Sequence, residues 1–185
     1  MPGLKDKLRM IDAASGSAVK AAPVDTYMPQ ECYHNSERFA LSSFTGMEHL
    51  AVLPEIYGFP FPKHVTTQDL LFLDTETTGL SGGAGTVAFQ VGLGYVSGGR
   101  FVVEQFLMRD YPEEPLMLEK VAELAAGFPV MVTFNGKTFD APLLESRFIM
   151  NRVSGAKLPA LHADVLHASR RVWKLRLGSC TLQRL

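Results

Sequence analysis

The strongest pattern in the chain is an apolar run that breaks off into charge. Leu70 to Leu73 are four consecutive apolar residues within the stretch Asp69 to Thr75, which predicts a buried strand reaching the surface at its carboxyl end. Thr86 to Val96 alternates, with Val87, Phe89, Val91, Leu93 and Tyr95 on one face of a second strand. Ser97-Gly-Gly-Arg100 predicts a hairpin turn, and Phe101 to Met108 the returning strand. A helical pattern opens near Pro115, where a missing N–H costs nothing, and runs to Ala126 before Gly127-Phe-Pro129 stops it. Val130 to Phe134 reads as a fourth strand, Phe139 to Asn151 as a helix, His162 to Asp164 as a short strand and Val165 to Trp173 as a helix. Ser179 has the position of an N-cap for a further helix from Cys180.

The pattern is weaker before Thr66. Leu4 to Ala14 has helical spacing, Ala13 to Pro29 is a small, proline-punctuated arm, and Glu31 to Leu41 suits a strand. Gly46 to Tyr57 predicts a helix interrupted near Pro54, and Phe59-Pro-Phe-Pro-Lys63 an extended connector. The expected division is therefore an N-terminal extension, 1–65, and a core, 66–185. Within the core the order is β-β-β-α-β-α-(β)-α. Short connections make the first three strands an antiparallel meander, and crossover helices bring in parallel strands. The result is an α/β fold with a mixed sheet and flanking helices.

Composition adds little to this until charge is mapped. With 185 residues, 46% of them hydrophobic and 20% charged, the chain can bury a core without staples and is not of the disordered class. Cys32 and Cys180 form no CxxC pair, so a disulfide framework and a thiolate zinc site are not expected. The N-terminus lacks the apolar stretch of a signal peptide and no run suffices to span a bilayer, which predicts a cytoplasmic protein without membrane contact. The net charge of −1 hides an asymmetry. From Arg147 onward eight basic residues face the single acid Asp164, making that segment +7 and the rest −8. A cationic end beside an acidic remainder suits a polyanion partner and a separate site rich in carboxylates, although a solvated helix face would look the same.

Asp74 and Glu76 stand at the end of the first strong strand. Side chains at i and i+2 share a face, with Cα atoms about 6.6 Å apart. Two carboxylates that close repel, and a divalent cation relieves them. Oxygen-only ligands favour Mg2+ or Mn2+. The plainer reading is a strand running into solvent, with Thr77-Thr-Gly79 as a turn. Asp140 follows the fourth strand, and the carboxyl ends of strands in open sheets are where ligands gather. It could equally cap the helix that follows it. Gly82-Gly-Ala-Gly85 and Gly136-Lys-Thr138 fall short of a P-loop, which would need glycine where Met131 stands, and no Gly-x-Ser-x-Gly element occurs. Phe148 and Met150 are expected in the core.

Leu71-Phe-Leu-Asp-Thr-Glu-Thr-Thr-Gly79 resembles the first motif of the DEDD, DnaQ-like 3′–5′ exonucleases. Thr133-Phe-Asn-Gly-Lys-Thr-Phe-Asp140 resembles the second, with Asn135, Phe139 and Asp140 at its characteristic positions. From about Asp69 to Leu185, including Asp164 to Trp173, the chain is similar to the YprB-like branch of that ribonuclease-H-like superfamily. The resemblance implies two ions, with Asp74 bridging both, Glu76 binding one, and Asp140 binding the other directly or through water. One ion would activate a water and the other stabilise the leaving 3′ oxygen, releasing nucleoside 5′-monophosphates. Thr77, Thr78 and Gly79 would line the terminal nucleotide and Asn135 would position the strand. The basic segment, Arg170, Arg171 and Lys174 foremost, would hold the backbone of a single-stranded 3′ end.

The family's third motif, a His or Tyr shortly before a fourth metal-binding Asp, has no counterpart before Leu185. The resemblance assigns Asp164 to the scaffold rather than to the ligands. His162 and His167, five apart, do not share a helix face and read as structural or surface residues. The rival expectations are a non-catalytic nucleic-acid-binding module and a ribonuclease-H-like endonuclease.

Overall fold

The structure, a computed structural model, describes residues 32–43, 53–57, 64–79 and 85–182. Among these the strands are β1 (Tyr33–Ala40), β2 (Leu70–Thr77), β3 (Ala88–Ser97), β4 (Arg100–Leu107), β5 (Val130–Thr133) and β6 (Leu161–Asp164). The helices are α1 (Leu53–Tyr57), α2 (Glu114–Ala125), α3 (Asp140–Met150) and α4 (Val165–Leu177). The expected helix at 4–14, the arm at 13–29, the connector at 59–63 and most of the glycine-rich turn at 82–85 lie outside the described residues.

One sheet runs in the order β1-β4-β3-β2-β5-β6. The meander β2-β3-β4 is antiparallel, β1 adds antiparallel beyond β4, and β5 and β6 run parallel to β2. Helix α2 carries the chain from β4 across to β5, and α3 from β5 to β6. This is the mixed α/β sheet with flanking helices that the pattern predicts.

Strand periodicity decides which residues meet which face. Leu71 and Leu73 of β2, Val91 and Leu93 of β3 and Met131 of β5 pack with Met117, Leu118 and Val121 of α2 and with Leu144 and Phe148 of α3. The opposite pleats, Leu70, Val130, Val132 and Ala163, form a smaller cluster against Val65, with Leu53, Tyr57 and Phe72 at its margin. Burying each of these large apolar side chains contributes roughly 1.5–3 kcal/mol. Arg147 closes the layer by chelating Glu114, at 2.6 and 2.5 Å, which ties α3 to α2. Arg147 is thus consumed inside the fold and does not belong to an open basic surface.

Two pieces of the segment 1–65 pack on this sheet. Strand β1 is fixed to β4 by Glu104, which binds His34 Nε2 at 2.5 Å and accepts from the Tyr95 hydroxyl at 3.0 Å. Burial alone would raise the Glu104 carboxyl, but hydrogen bonds from His34, Tyr95 and Ser36 hold it below the ordinary value. His34 also stacks on Phe106 with ring centroids 4.7 Å apart. Helix α1 lies against α4, whose Arg171 donates to the Ile56 carbonyl at 3.2 Å.

Several expectations are revised. Pro54 sits in the first turn of α1, where no intrahelical N–H is needed, and residues 46–52 of the expected helix lie outside the described residues. Met150 is 57% exposed, whereas Phe148 is buried, since two helical positions point about 200° apart. Helix α4 continues past Trp173 to Leu177, where Gly178 at φ 68° ends it. Residues 179–181 are irregular and 183–185 lie outside the described residues, so Ser179 caps no described α-helix. The two cysteines are buried and form no disulfide. Among the described residues no helix is long and apolar enough to cross a membrane.

Candidate active site

Strand β2 is central, flanked by β3 and β5, and its burial changes halfway along. Leu70, Leu71 and Leu73 are buried and Phe72 half-buried, while Asp74 and Glu76 are exposed. The two acids share the pleat of Leu70 and Phe72. Thr75 between them shares the pleat of Leu71 and Leu73. A register shift follows Glu76. Strand β3 gains Phe89 between Gln90, which pairs with Glu76, and Ala88, which pairs with Thr77. The Phe89 carbonyl accepts from Met108 N at 2.9 Å instead. A bulge at this point bends the strand end and re-aims the side chains beyond it.

The turn after the bulge is held by its own hydroxyls. Thr77 Oγ1 donates to the Gly79 carbonyl at 2.9 Å, and Thr78 Oγ1 accepts from Val87 N at 3.1 Å. Thr78 N donates to the Val87 carbonyl at 3.0 Å. The expected substrate-lining residues Thr77, Thr78 and Gly79 therefore form a hydrogen-bonded, half-buried turn beside Glu76.

The parallel register brings the next segment alongside. Leu70 pairs with Val130 and Phe72 with Val132, so the loop that leaves β5 after Thr133 runs beside Asp74 and Thr75. Asn135 turns that loop at φ 70°, in the left-handed region. Gly136 follows, and a Cβ there would lie 2.6 Å from Thr133 Cβ and Oγ1. Gly136 N instead donates to Thr133 Oγ1 at 3.2 Å, and the same oxygen meets His162 Nε2 at 2.7 Å.

Asp164 completes the loop from β6. Its Oδ1 accepts from Asn135 N at 2.9 Å and Leu166 N at 3.0 Å, and its Oδ2 from Lys137 N at 3.0 Å. It is 1% exposed. Asp164 is at once the N-cap of α4 and the clasp of the 135–137 loop. Its remaining close neighbour is His167 Nε2, 3.8 Å from Oδ2. Tyr57 of α1 is near enough for its hydroxyl pKa to be pushed up to about 12, by burial first and by the Asp164 charge second. His162 is held below its ordinary value by burial, against the pull of Asp164.

Asp140 is the first residue of α3, not its cap. Its carboxylate accepts a hydrogen bond from the Thr75 hydroxyl, which links the start of α3 to β2. Burial raises its pKa, the Thr75 bond lowers it, and the Asp74 and Asp164 charges raise it further. The structure thus sets Asp140 next to Asp74 electrostatically while its hydrogen bond is to the residue between Asp74 and Glu76. Among the described residues no three His, Cys, Asp or Glu side chains form a preassembled metal cluster. Of the other expected site residues, Asn135 lies in the clasped loop, and Arg170, Arg171 and Lys174 are exposed on α4. Thr75, Thr133 and Lys137 escaped the sequence reading as site-forming residues. Only the tight Asn135-Gly136 pair hinted at them.

A mixed sheet of this order, with Asp-x-Glu ending its central strand and an Asp opening the helix after the neighbouring parallel strand, defines a ribonuclease-H-like class. A family profile described as the RNase_H superfamily matches residues 71–185, more than half of the chain, and the chain belongs to that superfamily. It is also 34% identical over 154 residues to a protein of Bacillus subtilis (strain 168) described as "Uncharacterized protein YprB". That match covers 81% of this chain and 37% of the relative, so the chain spans little more than a third of that protein's length. No solved structure matches it.

Proposed function

We propose that this chain is the core of a metal-dependent 3′–5′ exonuclease releasing nucleoside 5′-monophosphates from a single-stranded 3′ end. The observation that carries the reading is the approach of Asp140 to the end of β2, where it bonds Thr75 on the pleat opposite Asp74 and Glu76 while the Asp74 charge pushes its carboxyl up. Membership of the ribonuclease H superfamily supports a nuclease and therefore a nucleic-acid substrate.

The residues suit a hard divalent cation in two respects. Their donors are carboxylate oxygens alone, the set that Mg2+ and Mn2+ prefer. A buried carboxyl raised by a neighbouring anion is also the group whose charge a cation restores. Asp74, Glu76 and Asp140 would hold the metal, with Asp140 exchanging its Thr75 bond for it. Bound metal supplies Lewis acidity and an activated water for phosphodiester hydrolysis. The chain itself contributes position. The turn 77–79, pinned to Val87, offers a fixed wall for a terminal nucleotide, and Asn135 is presented by a loop that Asp164 cannot release without exposing three N–H groups.

The test is a 5′-labelled single strand incubated with Mn2+ and a longer version of the protein that reaches beyond Leu185. Stepwise shortening from the 3′ end is expected, falling at least about 100-fold in Asp74→Asn and stopping in chelator. A closed circular strand resists, because it has no end. Cutting of the circle would mark an endonuclease instead. Binding without shortening would mark a non-catalytic module, and either result overturns the proposal.

A further inference from the structure

We infer that one face of α4, continued by Lys137, is a track for the phosphates of a single-stranded nucleic acid, leading towards Asp140. The inference rests on the nuclease reading and deepens it by naming the path of the strand. Positions 167, 170, 171 and 174 follow the i, i+3, i+4, i+7 spacing of one helical face. His167, Arg170, Arg171 and Lys174 are all exposed there. Lys137 is exposed too, and its backbone shares Asp164 Oδ2 with His167, 3.0 Å from one side and 3.8 Å from the other. The stripe therefore reaches the loop that ends in Asp140, three residues further on.

What sets this stripe apart is its place beside the Asp140 loop rather than a lack of partners, because among the described residues Arg38, Arg100, Arg152, Lys157 and Arg176 hold no acid either. Elsewhere Arg109, Lys120 and Arg147 each hold a glutamate: Glu113, Glu123 and Glu114. Among the described residues Lys137, Arg170 and Lys174 hold none. The one acid in their midst, Asp164, is buried and occupied by three backbone N–H groups. Arg171 stands apart, since it already donates to the Ile56 carbonyl and fastens α1. The track consists of Lys137, His167, Arg170 and Lys174. The helical part extends about 10 Å, at 1.5 Å per residue. A strand with its 3′ end at Asp140 would run 5′-ward over α4.

Anisotropy of a fluorescent oligothymidylate, titrated with the full chain in chelator over a range of KCl, reads binding apart from cleavage. Arg170→Glu/Lys174→Glu is expected to weaken binding at least tenfold and to flatten the log–log salt slope by about 1.4, two phosphates at roughly 0.7 each on single strands. The milder Arg170→Gln/Lys174→Gln pair should show the same flattening, which guards against a folding artefact. Lys120→Glu on α2 should bind like the wild type. Equal affinity and slope in the α4 and α2 variants would overturn the track. If the α4 variants lose binding but the wild type never shortens a strand, the nuclease reading falls and the track stands. If the wild type shortens strands and the α4 variants bind normally, the reverse holds.

Discussion

The β5–α3 and β6–α4 junctions each carry an aspartate at the start of the helix that follows a parallel strand, and treat it in opposite ways. Asp164 is 1% exposed and satisfied by three backbone N–H donors. Asp140 is 7% exposed, accepts from the Thr75 hydroxyl and from its own backbone N–H, and lies under the repulsion of Asp74 and Asp164. A carboxylate saturated by main-chain donors holds structure, and its loss strands those donors. A buried carboxylate with fewer donors and crowded by like charge is kept at a cost to stability, as in the proposed ligand role of Asp140. Neighbouring junctions of one sheet thus contain a clasp and a candidate ligand, told apart by hydrogen-bond supply rather than residue type.

Substitutions at the two positions would break the comparison if they acted alike. Asp164→Ala is expected to cost the most, about 3 kcal/mol, since three enclosed N–H groups lose a charged acceptor; urea unfolding measures it. A loss under 1 kcal/mol would show the clasp to be dispensable. Gly136→Ala comes next at about 2 kcal/mol, because the new methyl would meet Thr133 at 2.6 Å. A normal midpoint for that variant would mean the loop adjusts freely.

Asp140→Asn should move the other way and with pH. The folded pKa of Asp140 is raised above its ordinary 3.8, chiefly by burial. Below that value the protonated form favours folding. The advantage is lost as pH rises through the folded pKa, because the unfolded chain gives up its proton first. The asparagine variant escapes this loss, so its stability relative to the wild type should grow as pH rises from the ordinary carboxylate range through the raised folded pKa. A difference that is flat with pH would contradict the assignment. Millimolar Mg2+ at neutral pH should raise the wild-type melting temperature by a few degrees through binding to the native state, and raise that of Asp140→Asn by less. Equal shifts would remove Asp140 from the proposed ligands.

The smallest effect is expected at Ser169, on the inner face of α4, whose buried hydroxyl has no hydrogen-bond partner. Ser169→Ala should leave stability unchanged or raise it by a few tenths of a kcal/mol, because no bond is lost. A clear loss would reveal a partner that the α4 junction needs.

Much of this was legible in the chain because it depends on local spacing. The strand 70–77 announces itself by an apolar run, and Asp74 and Glu76 share its face because side chains alternate, whatever surrounds them. The meander followed from short turns. Helix ends were less legible. Nothing near Trp173 stops α4, and the stop came from Gly178, whose left-handed φ is cheap only without a side chain. Met150 was misplaced because spacing alone does not say which stripe of α3 meets the sheet. Arg147 read as surface charge until Glu114, 33 positions away, was seen to hold it.

The sequence by itself determined the order of elements, the one-faced pair Asp74 and Glu76, and the candidacy of Asp140, since each rests on residues within a few positions of one another. Only the tertiary structure decided that β1 extends the sheet beyond β4, that Thr75 meets Asp140, and that Asp164 clasps the loop carrying Asn135. Those outcomes depend on which strands become neighbours and which buried N–H groups need an acceptor. Both are settled by competition for partners across the whole sheet, which no local pattern encodes.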